Sequence, residues 1–488
     1  MLFSELLGDA GLLVPIIGTD VEVVDIQRDA RRCGKNSCFV AVPGRLTDGH
    51  QYINDAIAAG ASAVVCERQT AMGQSLGVAL VEDTHEVLGL LCQACRCWPV
   101  RKLRCIGITG TNGKTTVAHL TKAILEAAGL RPALISTVVP SSGKSAGGPA
   151  TTPDAVALAE MTEEMVSTGR THLVMEVSSH ALDQRRTAGV DFEVAAFTNL
   201  SGDHLDYHGD MKTYLAAKLL LFGGLQREST AVINRDDAHW QEVAESTKAR
   251  VVLYSLKSSA ELRGEISQMD PSGSQFTLIA GRERVEVRTP LIGVHNVQNC
   301  LAAASSALAM GTHLSLIADA LRRIQTVPGR LERVPASAPY SVYVDYAHTD
   351  DALRNVLLAL RPVTRGRIVL AFGCGGDRDV TKRPRMAAVA EDLADRIVVT
   401  SDNPRSERPS DIVDDILAGL SIAGRAKCDV ECDRAAAIEI AVGQARPGDV
   451  VLIAGKGHEK CQIIGDQRID FDDVCVAAEA MRKFGAES

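Results

Sequence analysis

Apolar positions in this chain of 488 residues come as short runs separated by stretches of helical spacing, the pattern of strands alternating with helices. In the first hundred residues the runs Cys38 to Val42, Ala63 to Cys66 and Val78 to Val81 are divided by the Pro43-Gly44 turn and a helix-like Tyr52 to Ala59. They predict a small α/β unit. Trp98-Pro99 interrupts the pattern, because a proline biases the residue before it away from helix, and a linker is expected at about 97–103. Leu103 to Ile108 then reads as a strand and Val117 to Leu130 as a helix. Strand-like runs follow at Leu173 to Val177, Val194 to Thr198, Ser229 to Asn234 and Val251 to Tyr254. Runs apolar throughout, alternating with helices, predict a mostly parallel sheet covered on both faces. Val327-Pro328-Gly329-Arg330 punctuates the chain. A Rossmann-like series of Tyr340 to Asp345, Arg367 to Phe372, Arg396 to Thr400 and Val450 to Ala454 follows it. The expected fold is α/β in three domains, 1–100, 101–330 and 331–488, in line with a prior of about 150 residues per domain.

The junction between the Leu103 to Ile108 strand and its helix carries Gly107-Ile108-Thr109-Gly110-Thr111-Asn112-Gly113-Lys114-Thr115-Thr116. Glycines there let backbone N–H groups approach phosphate oxygens, Lys114 supplies a cation for the outer phosphates, and Thr115 offers a hydroxyl to Mg²⁺. A nucleoside triphosphate is the expected ligand, although Ile108 stands where the usual pattern has its first glycine. Glu176 lies at the end of the Leu173 to Val177 strand, where a phosphate-loop protein places a second hold on Mg²⁺. Asn199 to His208 is dense in polar groups, for which a plain surface loop is the commoner explanation. Lys218 lies among apolar residues, and taken alone it reads as a helix lysine reaching for solvent.

Composition narrows the function classes. A net charge of −9 argues against nucleic acid as the main partner, while leaving room for a local basic cleft around an anionic small molecule. No apolar run reaches the roughly 18 residues of a membrane span, and Met1 to Gly18 lacks the basic start of a signal peptide, so a cytoplasmic protein is expected. Thirteen cysteines, odd in number and mostly in apolar segments, suit free thiols. Cys92, Cys95 and Cys97 have no matching pair at zinc-site spacing and read as structural.

The ordered segments Thr109 to Thr116, Thr151-Thr152-Pro153-Asp154, Met175 to His180, Asp203-His204-Leu205-Asp206, Gly293-Val294-His295-Asn296, Asp345-Tyr346-Ala347-His348-Thr349 and Gly455-Lys456-Gly457-His458-Glu459 resemble the Mur ligase family of ADP-forming amide-bond synthetases along essentially the whole chain. The resemblance implies that a substrate carboxylate attacks the γ-phosphate of ATP and that an amine then displaces phosphate from the acyl phosphate. It implies two Mg²⁺ ions, with Thr115, Glu176, His204 and a CO₂-derived carbamate on Lys218 holding metal. Lys114, Lys218, His348 and Asp345 are the implied catalytic set. Gly110, Thr111, Asn112, Gly113, Lys114, Thr115, Thr116, Asn296 and Arg330 are the implied ATP contacts.

Asp402-Asn403-Pro404-Arg405, with Arg378, is similar to the signature of family members that add meso-2,6-diaminopimelate to UDP-N-acetylmuramoyl-L-alanyl-D-glutamate. A guanidinium at Arg405 can clamp the extra carboxylate that distinguishes this diamino acid from lysine. Gly455 and Glu459 are implied at the same pocket, Glu459 accepting from the distal ammonium. Thr151, Thr152, Ser178, Gln184 and Arg186 are implied on the UDP-muramoyl-peptide, with the N-terminal domain gripping the nucleotide. The chain departs from the family at Ala30, where a serine is usual, at Asp350, where proline is common, and at Val380-Thr381-Lys382. A monomer with small-molecule partners is expected. A folylpolyglutamate-synthetase-like ligase, a degenerate non-catalytic homologue and an ATP-binding regulator are the alternatives. Glu176, His204 and Lys218 together argue against the regulator, since a switch has no need of a second metal.

Overall fold

The computed structural model describes residues 1–44, 47–68, 76–138, 151–324, 326–336 and 338–485. Three sheets follow one another along the chain. The first has five strands in the order Ile16–Gly18, Gly77–Leu80, Ala61–Cys66, Ser37–Val40, Asp25–Gln27, parallel except at the Ile16–Gly18 edge. Its core draws Ala155, Val156 and Ala159 from the helix Ala155–Ser167, so the first sheet is packed against an element from beyond residue 100. Trp98 adopts φ 54° ahead of the short 3₁₀ turn Pro99–Lys102, and the Arg101 guanidinium stacks 3.6 Å from its ring, which turns the chain into the second sheet.

That sheet has nine strands: Glu283–Thr289, Gly273–Ala280, Leu262–Asp270, Arg250–Ser255, Thr230–Asn234, Phe192–Phe197, Arg104–Thr109, His172–Glu176 and Pro132–Ile135 in spatial order. Successive side chains alternate between two cores. Ile106 and Ile108 pack with Val117, Leu120 and Ile124 of the helix Lys114–Ala127, while Cys105 faces Leu158 and Phe222 on the other side. The parallel portion matches the expectation from the sequence. The closing meander of Leu262–Asp270, Gly273–Ala280 and Glu283–Thr289 is antiparallel. Its outer strand, Glu-Arg-Val-Glu-Val-Arg-Thr, is half charged, so it shows no apolar run.

The third sheet orders Glu332–Arg333, Ser341–Asp345, Val450–Ala454, Ile368–Phe372, Arg396–Val399 and Cys428–Val430, all parallel but the first. A separate hairpin joins Cys461–Ile464 to Gln467–Asp470. In open parallel sheets ligands bind beyond the carboxyl ends of the strands. In the second sheet those ends carry the phosphate loop, Glu176 and the Thr198 to His204 loop. In the third they carry Asp345, Gly455 and Asp402 to Arg405. All thirteen cysteines are free thiols; Cys92 is buried on the helix Thr84–Cys95, and Cys97 is exposed beyond its end.

Candidate active site

The loop between Arg104–Thr109 and Lys114–Ala127 requires its glycines. Gly110 has φ 146°, and a Cβ there would lie 1.9 Å from Thr198 Oγ1; Gly113 has φ 87°, and a Cβ there would lie 2.3 Å from Asn299 Oδ1. The loop is tied to the next strand's exit. Thr198 Oγ1 donates to the Asn112 carbonyl at 2.6 Å, the Thr111 N–H donates to the Asn199 carbonyl at 2.8 Å, and the Asn112 N–H donates to Asn199 Oδ1 at 2.9 Å. Thr115 and Thr116 are buried in the first turn of the helix.

Lys114 Nζ donates to the carbonyls of Gly110 and Thr111 at 2.9 and 2.7 Å. Lys218 projects inward from the helix Met211–Gly223, fully buried, and donates to the same Gly110 carbonyl at 2.8 Å. It does not reach for solvent. Burial, with Lys114 next, drives its pKa well below the usual lysine value. Burial lowers the Lys114 pKa also, opposed by the charges of Glu176 and Asp203. Two ammonium groups on one oxygen call for a negative charge nearby.

Glu176 is buried at the end of its strand and accepts from Thr137 N–H at 2.8 Å and Thr137 Oγ1 at 3.2 Å. His204, with φ 55°, lies 3.5 Å from Asp203 Oδ2; burial lowers its pKa, and Asp203 opposes the shift. Its ring meets that of His180 edge-on at 4.8 Å. No group of three His, Cys, Asp or Glu side chains converges as a ready metal site among the described residues. The donor set of a hydroxyl, a carboxylate, an imidazole and a potential lysine carbamate still suits Mg²⁺, which prefers oxygen and keeps positions for phosphate and water. The crowding of two lysines on Gly110 is the observation that favours an anion at one of them.

Elements of the third sheet reach this loop directly. Arg330 Nη2 donates to Thr115 Oγ1 at 3.0 Å, and its guanidinium lies 4.8 Å from the Tyr346 ring. Asn112 Nδ2 and Ser201 Oγ donate to Asp351 Oδ2 at 3.0 and 2.8 Å. Asp351 sits in the first turn of the helix Asp350–Leu360, capped by Thr349. Asp350 opens the same turn, and its negative charge suits a helix N-terminus. Asn296 is buried at the start of the helix Val294–Ala309, donating to the Ile292 carbonyl at 2.8 Å and accepting from Asn299 at 3.2 Å. Both Asp345 oxygens are engaged, by the Leu331 N–H at 2.7 Å and the Ala347 N–H at 2.8 Å, and burial raises its pKa. That carboxylate shapes the turn presenting Arg330 and His348. His348 Nδ1 lies 2.9 Å from the Tyr346 carbonyl, and burial, then Lys382, lowers its pKa.

At the carboxyl ends of the third sheet, Asn403 Nδ2 donates to Glu459 Oε2 at 2.7 Å, and Gln462 Nε2 donates to the Asp402 carbonyl at 2.8 Å. Arg405 has φ 52°, and its Nη1 donates to the Gly376 carbonyl at 2.6 Å. Arg378 is exposed beside it, and the Pro404 carbonyl accepts from Glu407 N–H at 3.1 Å. The Gly455 N–H donates to the Asp345 carbonyl at 3.1 Å, joining this pocket to the Arg330 turn.

A cleft of about 580 Å³ opens between the first and second sheets, lined by Arg28, Pro43 and His85 on one side and Gln184, Arg186 and Tyr207 on the other. Arg186 donates to the Thr152 carbonyl at 2.9 Å and to Gln184 Oε1 at 3.0 and 2.7 Å; burial and then Arg28 lower its pKa. Thr152 Oγ1 lies 3.3 Å from Ser178 Oγ, and Thr151 Oγ1 lies 3.2 Å from Thr137 Oγ1. Two arginines facing one cleft favour an anionic occupant. Ala30 is buried in a 3₁₀ turn capped by Asp29, and Arg28 from the same segment supplies the cleft's charge. Sequence reasoning passed over Arg28, Thr137, Asp351 and Lys456. Arg28 directly precedes Asp29-Ala30-Arg31, and that position is a signal that could have been read.

Sequence profiles of the Mur ligase family match three stretches in order: the family's catalytic domain at residues 22–94, its middle domain at 108–307 and its glutamate ligase domain at 329–457. The chain is 42% identical to a UDP-N-acetylmuramoyl-L-alanyl-D-glutamate--2,6-diaminopimelate ligase of Geobacillus thermodenitrificans, covering 96% of each. A protein of the same description from Gloeobacter violaceus is 42% identical, covering 99% of this chain and 98% of that one. A solved structure of such a ligase superposes with a TM-score of 0.68 at 33% identity, covering 94% of this chain and 95% of that one. With three α/β units and their matches in the same order, the chain belongs to the Mur ligase family.

Proposed function

We propose that this chain is an ATP-dependent, ADP-forming ligase that adds meso-2,6-diaminopimelate to UDP-N-acetylmuramoyl-L-alanyl-D-glutamate in cytoplasmic peptidoglycan precursor synthesis. The observation that supports the reading is the contact of the two strand-end regions: Arg330 and Asp351 lie on Thr115, Asn112 and Ser201, so the phosphate loop touches the unit bearing Asn403, Arg405 and Glu459. A folylpolyglutamate-like ligase and a regulator are not favoured, since full-length relatives carry the diaminopimelate ligase name.

The UDP-muramoyl dipeptide would lie in the cleft of Arg28 and Arg186, its anionic groups relieving their mutual repulsion, with Thr151, Thr152, Ser178 and Gln184 along its peptide. Lys114 and the loop N–H groups would stabilise charge on the transferring phosphoryl group, and the incoming amine would then displace phosphate from the acyl phosphate. Thr115, Glu176, His204 and Lys218 as a carbamate would hold Mg²⁺, whose charge offsets that of the phosphates. A neutral amine is the form that adds CO₂, which the burial of Lys218 favours. His348, beside Lys382 and within the electrostatic reach of Asp203, would face the phosphates on approach of the third unit. Arg405 and Arg378 would take the distal carboxylate of diaminopimelate.

The test is incubation of the full chain with ATP, Mg²⁺, the UDP-muramoyl dipeptide and meso-diaminopimelate, with mass spectrometry of the nucleotide product. A gain of one diaminopimelate residue, dependent on ATP and matched by ADP, is expected. Nucleotide hydrolysis without a new amide would return the regulator to contention.

A further inference from the structure

The pocket at the third sheet contains a buried cation with no role assigned so far. Lys456 is fully buried, and its Nζ donates to Asn403 Oδ1 at 2.8 Å and approaches Glu459 Oε2 at 3.3 Å. Asn403 Oδ1 also accepts from the Ile463 N–H at 3.0 Å. Two donors on one oxygen settle which way the amide points. Its nitrogen must then face Glu459, to which it donates at 2.7 Å. The second N–H of that amide is left for a ligand, and so is Glu459 Oε1, which makes no hydrogen bond among the described residues.

Another buried cation beneath the pocket is already committed. Arg434 forms a two-point ion pair with Asp473, at 2.8 and 2.7 Å, both side chains fully buried, and it also donates to the carbonyls of Ser401 and Ala454 at 3.2 and 3.1 Å. Lys456, by contrast, has a carboxylate partner, Glu459, that is itself a pocket residue.

We infer that Lys456 is a positioning residue of the amino-acid pocket: it fixes Asn403 as a hydrogen-bond donor toward a carboxylate of the incoming diamino acid and holds Glu459 as an acceptor for its ammonium. The assignment rests on the diaminopimelate reading of the pocket. Without the lysine, Asn403 Oδ1 keeps only the Ile463 N–H, and the amide is held less firmly against a flip that would offer its oxygen where a carboxylate must bind and set two acceptors face to face. An unpaired acceptor of this kind is costly.

The test compares Lys456→Met, Lys456→Arg and Asn403→Asp in the full chain, varying diaminopimelate, ATP and the UDP-muramoyl dipeptide one at a time. Lys456→Met should raise the KM for diaminopimelate about tenfold or more, with the other two KM values within about twofold. Lys456→Arg should recover much of the loss. Asn403→Asp keeps an acceptor for Lys456 but removes the donor, and it should raise the same KM whether or not the methionine variant folds. Equal changes in all three KM values, or an unchanged KM for diaminopimelate, would overturn the assignment while leaving the ligase reading intact. A wild-type chain silent with every amino acid would overturn the reading and this assignment together.

Discussion

Around the Gly110 carbonyl two lysines donate to one oxygen, at 2.9 and 2.8 Å, with no carboxylate among the described residues in contact with either; around Glu459 the lysine, the amide and the carboxylate satisfy one another at 2.7 to 3.3 Å. The two regions handle charge in opposite ways. The phosphate loop gathers two ammonium groups on one carbonyl with carboxylates only at a distance, and its glycines and buried lysines are organised for anions that arrive with the nucleotide. The amino-acid pocket is nearly neutral within itself and leaves single donors and acceptors to read a zwitterion. The first arrangement suits strong, unselective attraction to phosphate, and the second suits discrimination between amino acids of similar charge.

The largest effect that would break this comparison lies at the loop. Lys114→Ala should lower kcat by about 10³-fold, the scale on which removing one stabiliser of developing charge acts. Lys218→Ala should be comparably inactive and partly recovered by a short added carboxylate standing in for the carbamate. Steady-state rates with and without acetate check both, and near-normal turnover of Lys218→Ala without acetate would dismiss the carbamate. A smaller effect is expected between the regions. Asp351→Ala removes the acceptor of Asn112 and Ser201 and should cost about tenfold in kcat/KM for ATP, the scale of charge-assisted hydrogen bonds. An unaltered value would mean that this contact does not help dock the third unit.

The smallest effect concerns stability. Burial lowers the His295 pKa from 6.5 to about 4. The unfolded chain therefore binds a proton that the folded one refuses between those values, and stability falls as pH drops from about 6.5 toward 4. His295→Gln should flatten the decline. Melting temperatures at intervals across that range would show it, and parallel curves for the two proteins would place the proton linkage elsewhere, for instance at His119 or His458, also lowered to about 4 by burial.

The same contrast explains what could be read from the chain. The phosphate loop is local: strand, glycines, lysine and helix are contiguous, so pattern and chemistry coincide and the elements emerged within a few residues of their bounds. Lys218 was legible only through the resemblance, because a lysine in an apolar helix has the same pattern whether it reaches solvent or points at Gly110. Asp351 was opaque, as its partners Asn112 and Ser201 lie far away in sequence. The amino-acid pocket gathers residues from three strand ends, and only resemblance to relatives marked them. Lys456 stood inside a matched motif, yet its role depends on the amide orientation of Asn403, which no spacing encodes. The antiparallel meander escaped because its alternating charges hide a half-buried strand.

The central claim is that the loop activates and the third unit selects. It is tested most directly by initial rates of phosphate release for the wild-type chain and Arg405→Ala with meso-diaminopimelate and L-lysine in parallel. Turnover with diaminopimelate and little with lysine is expected of the wild type. In the variant the KM for diaminopimelate should rise about tenfold or more and the KM for ATP should stay unchanged. Equal use of the two amino acids by the wild-type chain, or a variant that loses ATP affinity in step with diaminopimelate, would contradict it.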